Sequence, residues 1–481
     1  MSEANRADLS FIREVSAGST PSSGVYKIIP YTAAPDFSFN PNTVISNTIR
    51  SDRMIDDLKL VGIEAGGSVE FEFAYGQFDD LLAGAFYNSW NEHDTADAEV
   101  KTIKANALEF NSAGDIPADF KPSALLLFED SGSQDRKVFT AGSATGADVA
   151  VQGLKAASKG DNFKVSLVGV DIDDTEIAHD EGAKTITVDN SNNKALFNDL
   201  NIELGDYIKI SGGSVSAIQG YYRIVSAEDG TGDEYVLTYD QFIPDTYVSQ
   251  TVASGRVYIY VSKSIKNGSL KQSYSILQRF QSQAAPNQAV FSGCVVNAFS
   301  LAFDTQAIIT GSFGFLGLNS QFLSQNVEDE RVKQAQAEGL LTSSDNVGKI
   351  FVGGSEVSDP NYIQSASFDL SNSARRQNAV GSVGSVGIAA GRSLITGSLS
   401  TYFGNSDLAK QVIANTESSL IMSFNDKGNR ALVLDIPKIK FSAGSAGIEA
   451  VDTDIILPLE YQALRDTNFN YQAKLCAFPF V

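Results

Sequence analysis

The sequence predicts a mainly β chain: two copies of one strand-rich unit, each flanked by a single helix, with a further small β domain inserted into the first copy. Three observations predict it. Short alternating or β-branched apolar runs bounded by Gly, Asn, Asp and Ser dominate the chain, helical periodicity is rare, and a stretch beginning at Ser46 returns at Ser371.

The strand runs include Ser68 to Phe73 (SVEFEF), Tyr207 to Ile210 (YIKI), Tyr221 to Val225 (YYRIV), Tyr235 to Tyr239 (YVLTY), Val257 to Val261 (VYIYV) and Ala298 to Phe303 (AFSLAF). Asn267-Gly268, just after a strand run, reads as a hairpin turn. The clearest helix lies within Phe78 to Trp90, where Phe78, Leu81, Leu82, Ala85 and Phe86 share one face. A second, Ser406 to Asn415, aligns Leu408, Val412 and Ile413, with Asp407 near its start where the helix dipole favours negative charge. A third stretch, Val327 to Leu340, is polar with Ala and Leu and reads as a connecting helix.

Setting Ser46 against Ser371 aligns SNTIRSDRMIDDLKLVGIEAGGSV with SNSARRQNAVGSVGSVGIAAGRSL without a gap. Among the matches are Asn47/Asn372, Arg50/Arg375, Gly62/Gly387 and Gly66/Gly391. A strand precedes each copy (Phe37 to Phe39; Ser367 to Leu370), another follows (Val69 to Phe73; Leu394 to Leu399), and then comes one of the two best helices. Val295 to Phe315 pairs loosely with Ile436 to Leu459. Ala96 to Ser254 has no counterpart in the second copy and reads as an insertion, tolerated at an exposed loop tip. Its second half has the rhythm of a small β-barrel, and its first half is acidic and less regular. The expected division is therefore 1–95 with 255–325 as the first unit, 96–254 as a domain on the exterior, 326–345 as a linker and 346–481 as the second unit.

Composition narrows the function. Across 481 residues the net charge is −22, from 36 basic and 58 acidic side chains, which counts against a protein that displaces counterions from phosphates. Cys294 and Cys476 are too few for a disulfide framework or a metal cluster, and only His93 and His179 offer imidazole chemistry. The N-terminal MSEANRADLSFIREV lacks the apolar core of a signal peptide, and no apolar run reaches about 18 residues, so the expectation is a product of a cytoplasm with no membrane span. Scarce His and Cys favour a structural role, with no catalytic residue and no cofactor.

The best metal candidate is the acidic loop with Asp171, Asp173, Asp174, Glu176, Asp180 and Glu181 beside His179. Thr175 stands where a third calcium ligand belongs and Glu176 where the turn glycine belongs, so a solvated acidic loop is the plainer reading. Asp79 and Asp80 could form a carboxylate pair, but they also sit in the first turn of a predicted helix, where the dipole accounts for them. Gly381, Gly384, Gly387 and Gly391 lack the GK[ST] and the strand-to-helix context of a phosphate cradle, and a long hairpin loop fits them better.

With the repeat in place, a resemblance follows. SNTIRSDR, then VGIEAGGSVEFEF and YGQFDDLLAGAFYNSW, resembles the N-terminal part of the tail tube (major tail) proteins of long-tailed, non-contractile bacteriophages. SKSIKNGSLKQSYSILQRF with FSGCVVNAFSLAFDTQAIITGSFGFLG is similar to the part that follows, and LGDYIKISGG with GYYRIV to a small β insert of many members. The resemblance implies β-sandwich units whose strands join around a ring into an inner barrel. It implies trimers of duplicated chains, stacking of rings through extended loops, DNA passing through the lumen, tape measure and tail terminator proteins as partners, and a place in the virion tail. By position the stacking loops would be Ser46 to Val61 and Ser371 to Val386, with contacts between subunits or rings from Arg50, Ser51, Asp52, Arg53, Asp56, Asp57, Arg375, Arg376, Val383 and Gly384.

Two other readings compete. A receptor- or carbohydrate-binding virion protein would act through the insert and would need a concave aromatic site from Tyr221, Tyr222, Tyr235 and Tyr239. A carboxylate hydrolase would need two acids about 5–9.5 Å apart, and nothing in the sequence marks such a pair.

Overall fold

A computed structural model describes residues 7–49, 51–52, 54–91, 94–95, 100–129, 137–159, 163–213, 218–244, 255–281, 287–333, 339–358, 360–425, 430–444, 447 and 454–478. The first unit is built from β1 (Ala7–Arg13), β2 (Tyr26–Ile28), β3 (Ser38–Ile45), β4 (Leu58–Glu72) and α1 (Asp79–Phe86). After thirteen strands, β5 to β17, lying between Asp94 and Val261, and the connecting strand β18 (Lys263–Lys266), it resumes. Its remaining strands are β19 (Tyr274–Phe280), β20 (Gln288–Asp304), β21 (Thr310–Gly317) and β22 (Asn319–Phe322).

The second unit follows a two-residue strand, β23 (Val332–Lys333), and runs through β24 (Val347–Val352), β25 (Ser355–Glu356) and β26 (Ile363–Ser371). A small hairpin of β27 (Arg375–Gln377) and β28 (Gly387–Ala389) leads to β29 (Leu394–Tyr402). Then come the helix Asp407–Ala414, β30 (Ser418–Asn425), β31 (Ala431–Gly444), β32 (Ile456–Ala463) and β33 (Lys474–Phe478). With the hairpin set aside, each unit reads four strands, one helix, four strands. The protein is mainly β, with sandwich layers sharing one core.

Each unit folds into two layers because its longest strand serves both. The first part of β20 pairs with β19 and β22 in the outer layer, and its last part pairs with β21 in the inner one. β31 does the same with β30, β33 and β32. Period-two alternation sends Phe299, Leu301 and Phe303 of β20 and Ala65, Val69 and Phe71 of β4 into the core, where all are buried. Phe71 lies 4.2 Å from Phe78 and 4.9 Å from Phe313, ring centre to ring centre, each such pair adding about 0.5–1.5 kcal/mol beyond area burial. α1 buries Leu81, Leu82, Ala85 and Phe86 against this core and ends at Tyr87 in the left-handed conformation (φ 50°). Asp79 and Asp80 occupy its first turn, paired with Lys263 and Lys27, as dipole stabilisation requires.

The thirteen strands between Asp94 and Val261 form a separate sheet with their own core, which includes Leu126, Val165, Ile172, Leu237 and Ile259. Its first half is as regular as its second, contrary to the expectation: ALLLFE (Ala124–Glu129) and KVSLVGVDID (Lys164–Asp173) are buried strands. It also holds α2 (Ser191–Asp199), whose Asn190 side chain accepts from the Asn192 amide as an N-cap. Two further expectations are corrected. Val327 to Leu340 contains no α-helix among its described residues. A single 3-10 turn (Asp329–Arg331) leads into β23, whose backbone pairs with Tyr26 and Lys27 and so draws the segment into sheet. Asn267-Gly268 is no hairpin turn, since β18 pairs with β33 and β19 with β1 and β20. Asn267 Oδ1 instead accepts the amides of Gln472 and Ala473, tying this loop to the second unit.

The separate sheet is fastened to the second unit. Leu125, Tyr207, Tyr221, Ile243 and Tyr260 from the sheet pack with Phe351, Ile421, Val433, Cys476 and Phe478. Two buried charge pairs cross the same seam, Arg223 with Asp435 at 2.9 Å and Lys474 with Asp206 at 2.6 Å. Ser264 also donates to Asp206 (2.8 Å) and Tyr221 to Asn425 (3.0 Å).

Candidate functional site: an edge-joined wall and its polar face

The two units meet edge to edge. β20 pairs antiparallel with β26 from Ala298↔Ser371 to Asp304↔Ser365. The inner layers thereby fuse into one wall of eight strands in the order β3, β4, β21, β20, β26, β29, β32, β31. Close approach inside the wall needs glycine: a Cβ on Gly397 would lie 2.1 Å from the Ser367 carbonyl oxygen. Among the described residues, β3 pairs only with β4, and β31 beyond Ile439 only with β32. The wall therefore ends in two open edges.

Strand pairing fixes how the units correspond. Phe39↔Ala65 in the first matches Leu370↔Ile395 in the second, and Asn40↔Glu64 matches Ser371↔Leu394. Both long strands also shift register at matching places, between Val296 and Ala298 and between Phe441 and Ala443. The units are thus duplicates in structure, but the gapless alignment of Ser46 with Ser371 is not the register the fold uses. Ser371 corresponds to Asn40, so Arg50 and Arg375 are not in equivalent places. The two short motifs drew the eye because each flanks a hairpin, while the strand partners that set register lie far off in sequence.

One face of the wall points away from the core. Along it stand Ser38, Asn40, Glu64, Ser68, Glu70 and Glu72, then Ser312, Ser300 and Asp304, then Ser365, Ser367 and Asp369, then Ser398, Ser400, Glu460 and Gln462, and finally Lys438 and Lys440. Hydroxyls pair across strands, Ser300 with Ser312 at 2.8 Å and Ser367 with Ser398 at 3.0 Å. Of the two lysines, Lys438 is engaged by Glu417 at 2.8 Å. The face is acidic and rich in hydroxyls. None of these residues was singled out from sequence, although SVEFEF, ASFDLS and LPLEYQA carry the period-two signal that could have found them.

The expected contact residues fall into two groups. Arg50 and Arg53 lie outside the described residues. Ser51, Asp52, Asp56 and Asp57 sit at the exposed end of the β3–β4 hairpin, where Asp52 accepts the Met54 amide (3.2 Å) and Asp57 the Leu58 amide (2.8 Å). Asp57 also pairs with Lys59 at 2.6 Å. The second group folds back on the first unit. Arg376 donates to the Ala65 carbonyl and lies 3.7 Å from Glu64, the Val383 carbonyl accepts the Ile63 amide (2.8 Å), and Gly384 lies beside Leu318. Arg375 pairs by backbone with Ala389 and is exposed.

The acidic loop does other work. Asp171 is buried, accepts from Arg256 Nε (2.7 Å) and Thr140 (3.0 Å), and so fastens neighbouring strands. Asp173 caps its own turn through Thr175 (2.7 Å), and the Asp174 amide donates to the Gly255 carbonyl. Among the described residues, no cluster of three or more His, Cys, Asp or Glu could hold a metal ion. Tyr221, Tyr222, Tyr235 and Tyr239 are all buried, so they offer no open aromatic platform.

The fold and this polar, edge-joined wall define a structural β-sandwich protein with open sheet edges. A family comparison makes the class specific: the model of the phage tail tube protein family matches residues 4–463, and the chain belongs to that family. A search of the curated proteins finds no match. Membership places the chain in the virion tail, in a family whose role is structural. No described helix is long and apolar enough to cross a membrane.

Proposed function

We propose that the chain closes into three-membered rings of six near-equivalent units, that the rings stack into the hollow tube of a long, non-contractile tail, and that DNA passes through it. One observation carries the reading. The β20–β26 joint already links two duplicate units edge to edge inside one chain, and the free edges of β3 and β31 are the counterparts of the strands in that joint. An unpaired edge invites another strand, and a closed ring of identical chains removes every such edge. The polar face then lines the lumen, where Glu70, Glu72, Asp304, Asp369 and Glu460 offer a phosphate backbone nothing to bind.

The division into 1–95 with 255–325, 96–254, 326–345 and 346–481 belongs to this reading, with the separate sheet on the exterior. Contacts between subunits and rings come from the hairpin ends around Arg50 to Asp57 and Arg375 to Gly384. The chain is made in the host cytoplasm, and the partners are other copies, a tape measure protein and a tail terminator. Negative-stain microscopy of the purified protein at rising concentration tests the proposal. Three-chain rings or hollow tubes are expected, and a monomer persisting at every concentration would overturn it.

A further inference from the structure

The hairpin of the second unit, residues 372–393, is seated on the first unit. Ile388 is buried against Tyr87 and Val295, Asn372 Nδ2 donates to the Ala85 carbonyl at the end of α1 (2.9 Å) and to the Val296 carbonyl (3.1 Å), and the Ala374 amide donates to Asn297 Oδ1 (2.7 Å). Lys271 reaches the Ile388 carbonyl, and Arg376 the Ala65 carbonyl. This hairpin reaches past one end of the joint between the units and ties the second unit onto the first.

The corresponding segment of the first unit, residues 41–63, has nearly the same length, but beyond the hydrogen bond from the Ile63 amide to the Val383 carbonyl it has no such seat among the described residues. It runs on as strand pairs from Pro41↔Ile63 to Ile45↔Leu58, with a register shift between Asn42 and Thr43. Val44, Ile45, Leu58, Leu60 and Val61 along it are all about half exposed or more. The matching seat on the second unit is identifiable by strand register. Leu394 stands where Glu64 stands, Lys440 where Val295 stands, and Ile413 and Asn415 where Ala85 and Tyr87 end the other helix, since both helices stop at a left-handed residue. On this surface Ile413 is 86% and Leu394 45% exposed. Exposed apolar side chains on both surfaces are what a missing occupant leaves.

We propose that the strand pair Pro41–Ile45 and Leu58–Ile63 of one chain seats on Leu394, Ile413, Asn415 and Lys440 of a second copy, within the same ring. The inference rests on the ring reading above and specifies the partner surface. It makes the first-unit hairpin a strap across the joint between chains, as the second-unit hairpin straps the joint within a chain. Leu58, the counterpart of Ile388, then lies over Asn415.

The test is a pair of cysteines, Leu58→Cys with Asn415→Cys, oxidised in the assembled state and run on denaturing gels. Native Cys294 and Cys476 are buried and do not compete. Covalent trimers as the largest species are expected, because a strap within the ring closes after three chains. An open-ended ladder, which links ring to ring, overturns the proposal, as does assembly without cross-linking. A parent protein that forms no rings overturns the ring reading and this proposal together. As a second measure, Ile413→Asp should raise the concentration needed for assembly at least tenfold with the unfolding midpoint unchanged, while Leu204→Asp, exposed in the turn before Tyr207, should not. Unaltered assembly by Ile413→Asp counts against the seat.

Discussion

Arg223 donates to Asp435 at 2.9 Å and grips Asp240 with its other two nitrogens at 2.8 Å, so one guanidinium joins the thirteen-stranded sheet to the second unit. Asp435 is fully buried and also accepts from Tyr471 (2.7 Å). Burial pulls the guanidinium's pKa down, but the surrounding carboxylates more than offset this and hold it above its ordinary value. Burial pushes the Asp435 carboxyl up, against the pull of Arg223 and Tyr471. Burial and the two partners therefore act in opposite directions on this carboxyl.

Arg223→Met should accordingly lower stability by about 3–5 kcal/mol, since it strands a carboxylate in the seam. Arg223→Met with Asp435→Leu should recover most of that loss. Denaturant unfolding at neutral pH measures both, and a double variant as weak as the single one would refute the pairing argument.

Lys474 and Asp206 give a pH signature. Burial lowers the Lys474 pKa, but Asp206 raises it further, for a net rise above 10.5. A raised value means that the pair's stabilisation is complete below about 10.5 and is lost as pH climbs through the folded-state value. The stability gap between wild type and Lys474→Met should be constant from pH 7 to 10 and should shrink above that. A gap that widens with alkalinity would contradict the sign.

Burial pushes the Cys476 thiol up to about 12 and raises Cys294 as well. Neither should react measurably with iodoacetamide at pH 8 in the folded protein, and both should react once it is unfolded. Mass spectrometry of native and denatured samples reads this directly.

Reversing the polar face should create an affinity that the wild type lacks. Glu70→Lys, Asp369→Lys and Glu460→Lys together, all at exposed positions, should bind DNA with a log affinity that falls by about 0.9 per phosphate contact per log unit of salt. Fluorescence anisotropy at several salt concentrations measures the slope. Binding by the wild type of equal strength would remove charge from the account of the lumen.

Strand content, both unit helices and the duplication were legible because each is written in local periodicity: Leu81, Leu82, Ala85 and Phe86 can face only one way on a helix, and SVEFEF only two on a sheet. Register was not legible. Phe39 learns its partner from Ala65, and Leu370 from Ile395, across hairpins whose own residues happen to resemble each other out of step. The polar face escaped for a related reason, since Glu70 and Asp369 look like any solvated carboxylate until the strands are ordered side by side. The seam was invisible as well, because Arg223 and Asp435 lie more than 200 residues apart.

β33 is held between β31 and β18, so Lys474–Ala477 pair with residues made some two hundred positions earlier. During synthesis, the β18 edge that β33 will pair waits bare until residues 474–477 leave the ribosome. The loop to be closed spans about two hundred residues, and its entropic cost is met only once they have been made. A chain released before residue 474 would keep that edge open, because Lys474–Ala477 are the residues that pair with it.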